Sequence, residues 1–119
     1  MNDAETTILQ VKTALKAFNN AREWSQYHNP RNLAMALSVE ANELLSLFLW
    51  SSDTGPQPPV ASRQQSVHEE AADVMICLLN FCNSMNIDLA QAVHQKMQKN
   101  NEKYPVNKSR GKLEKHNEL

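Results

Sequence analysis

Apolar positions recur three or four residues apart in four stretches of this chain, and nowhere do they alternate with the two-residue period of a strand. Ile8, Val11, Leu15 and Phe18 lie within an otherwise polar segment and predict an amphipathic helix from about Asp3 to Trp24. The linker Ser25–Asn29 follows, and Pro30 stands where proline suits the first turn of a second helix, which runs to about Trp50. Ser51 to Ser62 holds Gly55, Pro56, Pro58 and Pro59, a helix-breaking loop. A third helix is expected from about Arg63 to Asn86. Asp88 reads as the N-cap of a fourth, which carries Leu89, Val93, Met97 and Asn100 at helical spacing and ends at Tyr104-Pro105.

The pattern therefore predicts an all-α chain with four main helices, and the short connections after the first and third favour antiparallel, bundle-like neighbours. One domain is expected over residues 1–105. The remaining stretch, 106–119, is polar and charge-mixed and is expected to be extended or mobile.

Acids interrupt the apolar pattern in two places. The second helix carries the stripe Leu33, Leu37, Glu40, Leu44, Leu47, in which a glutamate occupies the centre of a core-facing row, with Glu43 three residues on. Glu70 and Asp73 repeat the i, i+3 arrangement on the third helix, and residues so spaced project from one face. Two such pairs occupy comparable places and would face each other across a helical pair. A desolvated carboxylate without a partner loses several kilocalories per mole, and four together repel. Isolated acid pairs on helices are commonly solvated surface, but two pairs on apolar stripes point to a hard divalent cation.

Composition removes several alternatives. In 119 residues with a formal net charge of -1 there is no basic surplus to neutralise phosphates, so nucleic acid is not an expected partner. No run reaches the roughly 18 to 20 apolar residues of a membrane span, and MNDAETT lacks the basic and apolar regions of a signal peptide, so no membrane is expected and the cytoplasm is the expected location. Cys77 and Cys82 match neither a redox nor a zinc spacing and read as reduced core residues. Gly55 and Gly111 are the only glycines, which excludes a P-loop or dinucleotide fold; any phosphate must be held by metal and side chains.

The ligand types narrow the metal. None of His28, His68, His94 or His116 follows a glutamate by three residues, as di-iron helical sites require. No EF-hand loop is present, so an all-oxygen site suits Mg2+, with Mn2+ as a substitute. Mg2+ keeps several waters and shares its coordination with substrate phosphates, which implies a phosphorylated ligand. Lys96, Asn100 and Lys103 fall on one stripe of the fourth helix, with Tyr104 adjacent, and suit phosphate oxygens; a solvated face is the plainer reading of the lysines alone. Arg31, Lys108 and Arg110 are further cationic candidates. Trp24 and Trp50, at helix ends, suit either a core edge or stacking on a base.

With these residues in place, the chain resembles the MazG-like nucleoside triphosphate pyrophosphohydrolases, an all-α family marked by Glu-x-x-Glu and a downstream Glu-x-x-Asp. The resemblance spans Phe18 to about Arg110. It includes Arg22-Glu23-Trp24, His28-Asn29-Pro30-Arg31-Asn32-Leu33, Glu40, Glu43-Leu44, Trp50, Glu69-Glu70, Asp73-Val74, and Lys96, Asn100 and Lys103-Tyr104-Pro105-Val106. Within the family it is most similar to the short dCTP pyrophosphatase branch. It differs where relatives of that branch carry a tyrosine four residues after the last acid and a histidine three before the phenylalanine; Cys77 and Leu15 stand there.

The resemblance implies cleavage of a nucleoside triphosphate between its α and β phosphates, with dCTP or a related dNTP as substrate, in nucleotide-pool cleansing. It further implies Glu40, Glu43, Glu70 and Asp73 as magnesium ligands and catalytic groups, and Lys96, Asn100, Lys103 and Tyr104 at the phosphates, with Trp50 bordering the base. A homo-oligomer, a dimer that pairs into a tetramer, would complete the fold and the site. Two alternatives remain open from the residues alone: a non-catalytic helical metal-binding or interaction module, and a pyrophosphohydrolase of another substrate such as phosphoribosyl-ATP.

Overall fold

A computed structural model of the chain describes residues 1–49 and 61–119, with side chains given for 1–49 and 63–119. The loop expected over residues 51–62, and Trp50 with it, falls almost wholly outside that range. Four main helices, α1 (Ile8–Ala21), α2 (Pro30–Ser46), α3 (Ala61–Met85) and α4 (Leu89–Lys103), are followed by a short α5 (Val106–Ser109). No strand occurs among the described residues. Two compact units divide the chain, Met1–Asn86 and Ile87–Leu119, so the boundary falls inside the stretch 1–105.

Helix ends follow local side-chain chemistry. α1 begins five residues after the expected Asp3, because Asn2, Glu5 and Thr6 close a separate turn: Asn2 Oδ1 accepts from Glu5 N at 2.9 Å and Thr6 Oγ1 from Asn2 N at 3.0 Å. Such bonds compete with helix formation. Thr7 and Gln10 then form a reciprocal capping box, with Thr7 Oγ1 accepting from Gln10 N at 3.1 Å and Gln10 Oε1 from Thr7 N at 2.7 Å. The helix stops at Ala21, just before Glu23 turns left-handed (φ 55°), and Trp24–Tyr27 forms a 3-10 turn.

Pro30 opens α2 as expected, with Asn29 Oδ1 accepting from Asn32 N at 2.8 Å. α2 ends at Ser46 rather than near Trp50, and i→i+3 turns carry the backbone to Leu49. Asp88 caps α4, its Oδ1 accepting from Gln91 N at 3.0 Å. Residues 106–119, expected to be extended or mobile, contain α5 and a 3-10 turn at His116–Glu118.

In the first unit, α3 packs on both α2 and α1, more extensively on α2. Leu33 and Leu79 are buried with Cys82, and both cysteines are free thiols, Cys77 half-buried. The α1–α3 interface is polar as well as apolar. Asn19, itself buried, donates from Nδ2 to Asn80 Oδ1 at 3.0 Å, and Asn83 Nδ2 donates to the Lys12 carbonyl at 3.1 Å. The Asn19–Asn80 bond pairs two amide groups that would be costly to bury alone, whereas Asn83 Oδ1 is buried and accepts no hydrogen bond.

Candidate metal centre

The α2 stripe keeps its inward face in the folded chain: Leu33 is buried, and Leu37, Glu40, Leu44 and Leu47 are half-buried. α3 presents Glu70 and Asp73 in the same half-buried class. One carboxylate oxygen from each of Glu40, Glu43 and Glu70 lies within 4.8 Å of the other two. Asp73 stands outside that trio but within electrostatic reach of Glu40 and Glu70. Glu43 is the exposed member. Two helices thus bring their acids into one cluster at their interface.

Burial without partners marks the cluster electrostatically. Glu40 Oε2 and Glu70 Oε2 are both buried and accept no hydrogen bond. Desolvation pushes the Glu40 carboxyl up to about 7, reinforced by the charge of Glu43, by a contact with Glu70 and by Asp73. Glu70 is also raised, chiefly by desolvation, while its contact with the Glu40 carboxyl works in the opposite direction. Without a compensating cation both carboxyls therefore hold a proton more readily than free ones do. Cys77, one turn after Asp73, is held in its thiol form by desolvation and by the charges of Glu40 and Asp73.

These groups suit a hard divalent cation. All the donors are carboxylate oxygens, two of them have no protein partner, and their mutual repulsion is what a doubly charged ion relieves. Exposed Glu43 leaves one side of the cluster open to a further ligand.

The remaining candidates distribute over both units. Arg31 is exposed in the first turn of α2. Lys96, Asn100 and Lys103 are exposed along α4, and Tyr104 is its C-cap. Arg110 follows α5 as its C-cap. Within this second unit, Lys103, Lys108 and His116 line a cleft of about 390 Å³ together with Glu102, Pro105 and Leu119. The Tyr104 ring meets His116 edge-on at 5.9 Å. His116 carries no signal in the sequence, because a contact across twelve residues of tail has no periodic signature. Trp50 lies outside the described residues.

Near the start of the first unit, Arg22 stacks over the Phe18 ring at 3.6 Å, and Trp24 meets Phe18 edge-on at 5.7 Å. Trp24, one of the two tryptophans singled out by position, is thus part of a surface cluster of cation and rings.

Known proteins share this arrangement of chain. A crystal structure of a pyrophosphatase from Archaeoglobus fulgidus superposes with a TM-score of 0.76 at 37% identity, covering 88% of this chain and 98% of that one. The dCTP pyrophosphatase 1 of Mus musculus is 40% identical over 117 residues, 97% of this chain and 69% of that protein. Its Homo sapiens counterpart is 36% identical over the same length and shares. Residues 35–119, which include both acid pairs, match the sequence model of the MazG-like family. This chain belongs to the MazG-like family.

Proposed function

We propose that the chain is a divalent-cation-dependent nucleoside triphosphate pyrophosphohydrolase that attacks dCTP or a related dNTP at the α phosphorus. Water adds there, the bond to the bridging oxygen breaks, and a nucleoside monophosphate and pyrophosphate leave. The observation that carries this reading is the meeting of Glu40, Glu43 and Glu70 within 4.8 Å, with buried carboxylate oxygens that have no partner. The names of the mouse and human relatives support dCTP as the first substrate to try.

In this reading Glu40, Glu43, Glu70 and Asp73 hold Mg2+, with Mn2+ as substitute. A cation bound there supplies positive charge to phosphate oxygens and acidifies an attacking water. The chain's own residues do the rest. Glu43, open to solvent, is reached by water and substrate, and a carboxylate of the cluster takes the proton that the water gives up. Lys96, Asn100, Lys103 and Tyr104, with Arg31 and Arg110, neutralise and orient the triphosphate, and Trp50 borders the base. The setting is the cytoplasm, and no described helix is long and apolar enough to cross a membrane.

A second copy of the chain belongs to the same proposal. Leu33, Leu79 and Cys82 are the buried apolar side chains among the described residues, whereas Met35 (58% exposed) and Val39 (54%) on α2 and Met75 and Ile76 on α3 lie open. Apolar surface on the two helices that carry the acids suits self-association.

The test is direct incubation with each dNTP and Mg2+, with products identified by phosphorus NMR. Monophosphate and pyrophosphate are expected. Release of orthophosphate, or activity unchanged by Glu43→Gln, would overturn the proposal.

A further inference from the structure

Arg63 donates from Nη1 to the Leu47 carbonyl at 2.7 Å in a part-buried setting. Leu47 is the C-cap of α2, where terminal carbonyls lack intrahelical donors and the helix dipole is negative. A guanidinium answers both conditions.

Its position relative to the acids is what matters. Leu47 comes seven residues after Glu40 on α2, and Arg63 seven residues before Glu70 on α3. Seven residues are two helical turns, about 10 Å along the axis, and return the chain to nearly the same face. Because Glu40 meets Glu70 and Leu47 meets Arg63, the two helices run antiparallel and the two contacts lie on one edge of their interface. At one contact like charges drive the helices apart; two turns away a charged hydrogen bond draws them together.

We infer that Arg63 is a positioning residue for the cation site, which sets the separation of Glu40 and Glu43 from Glu70 by holding the end of α2 against α3. The inference rests on the reading of the carboxylates as a cation site. Arg63 has no part in the chemistry itself. Its contribution is to keep the carboxylates at the spacing a small cation requires, so that binding does not first have to draw the two helices together.

Isothermal titration of the full-length chain with Mn2+ tests this, alongside circular dichroism and thermal melts of the metal-free variants. Arg63→Gln is expected to keep its helicity and to bind Mn2+ about tenfold more weakly. Arg63→Lys, with one ammonium in place of a planar fork, should fall between it and the wild type. Wild-type affinity in Arg63→Gln, with or without a lower melting temperature, overturns the inference. Should that variant fail to fold, wild-type affinity in Arg63→Lys overturns it equally. Glu43→Gln separates the two levels: absent wild-type binding, or binding unchanged by Glu43→Gln, removes the site itself. Wild-type binding that is lost in Glu43→Gln and kept in Arg63→Gln removes only the role of Arg63.

Discussion

Glu40 on α2 and Glu70 on α3 confront each other across the helix interface, each with its Oε2 buried and without a hydrogen-bond donor. Acids so placed destabilise the fold unless a proton or a cation lies between them, and both compensations can be measured.

The proton has a definite window. The Glu40 carboxyl is raised from 4.5 to about 7 in the folded chain, so between those values the folded state binds a proton that the unfolded state releases. This contribution to stability is complete below pH 4.5 and is lost as pH rises through 7. Glu70 is raised as well and acts in the same direction. Metal-free protein is therefore expected to lose melting temperature from pH 5 to 7.5 relative to Glu40→Gln, which cannot titrate there. Parallel pH profiles for the two proteins would contradict the assignment.

The cation should replace that proton. Binding of Mg2+ or Mn2+ is expected to strengthen as pH rises toward 7 and to release protons, read by calorimetry as a heat that depends on the buffer's ionisation enthalpy. At a free concentration a hundred times its dissociation constant, a cation that binds only the folded state stabilises it by about 2.7 kcal/mol. Melting temperature should rise accordingly in the wild type and stay flat in Glu43→Gln.

The acids were legible in the sequence because they break a pattern: a glutamate centred in Leu33, Leu37, Leu44, Leu47 has no apolar explanation, and helical geometry says which face it shares. Pro30 and Asp88 were legible as starts, since each acts within its own turn. Arg63 gave no such signal, because its acceptor is a backbone carbonyl sixteen residues away and any residue supplies one. The early turn at Asn2–Thr6 was hidden for a related reason: side chain to backbone bonds there outcompete a helix whose apolar spacing begins only at Ile8. The amides of Asn19, Asn80 and Asn83 count as polar in any periodic reading, although Asn19 is buried.

That buried amide pair yields a stability prediction. Asn19 Nδ2 donates to Asn80 Oδ1 at 3.0 Å between α1 and α3. Asn19→Ala removes the donor and leaves a part-buried acceptor unpaired, which should destabilise the chain by about 1–3 kcal/mol. Replacing both residues by leucine removes the unpaired group as well, so the double variant is expected to recover much of the loss. A double-mutant cycle by urea denaturation measures the coupling; strict additivity would mean that the bond contributes nothing of its own.

Self-association gives the last test. Met35 and Val39 lie four apart on α2 and more than half exposed, on the helix that also supplies Glu40 and Glu43. Covering them with a second copy would bury apolar area at about 25 cal/mol per Å², while a charge introduced there would have to be desolvated. Light scattering after size exclusion should therefore find the wild type as a dimer or tetramer, and Val39→Glu as a smaller species. Because Val39 stands next to Glu40, the variant should be assayed for Mn2+ binding too. A wild type that remains monomeric at high micromolar concentration would leave the exposed α2 stripe without a second copy to cover it, and would remove self-association from the proposed function.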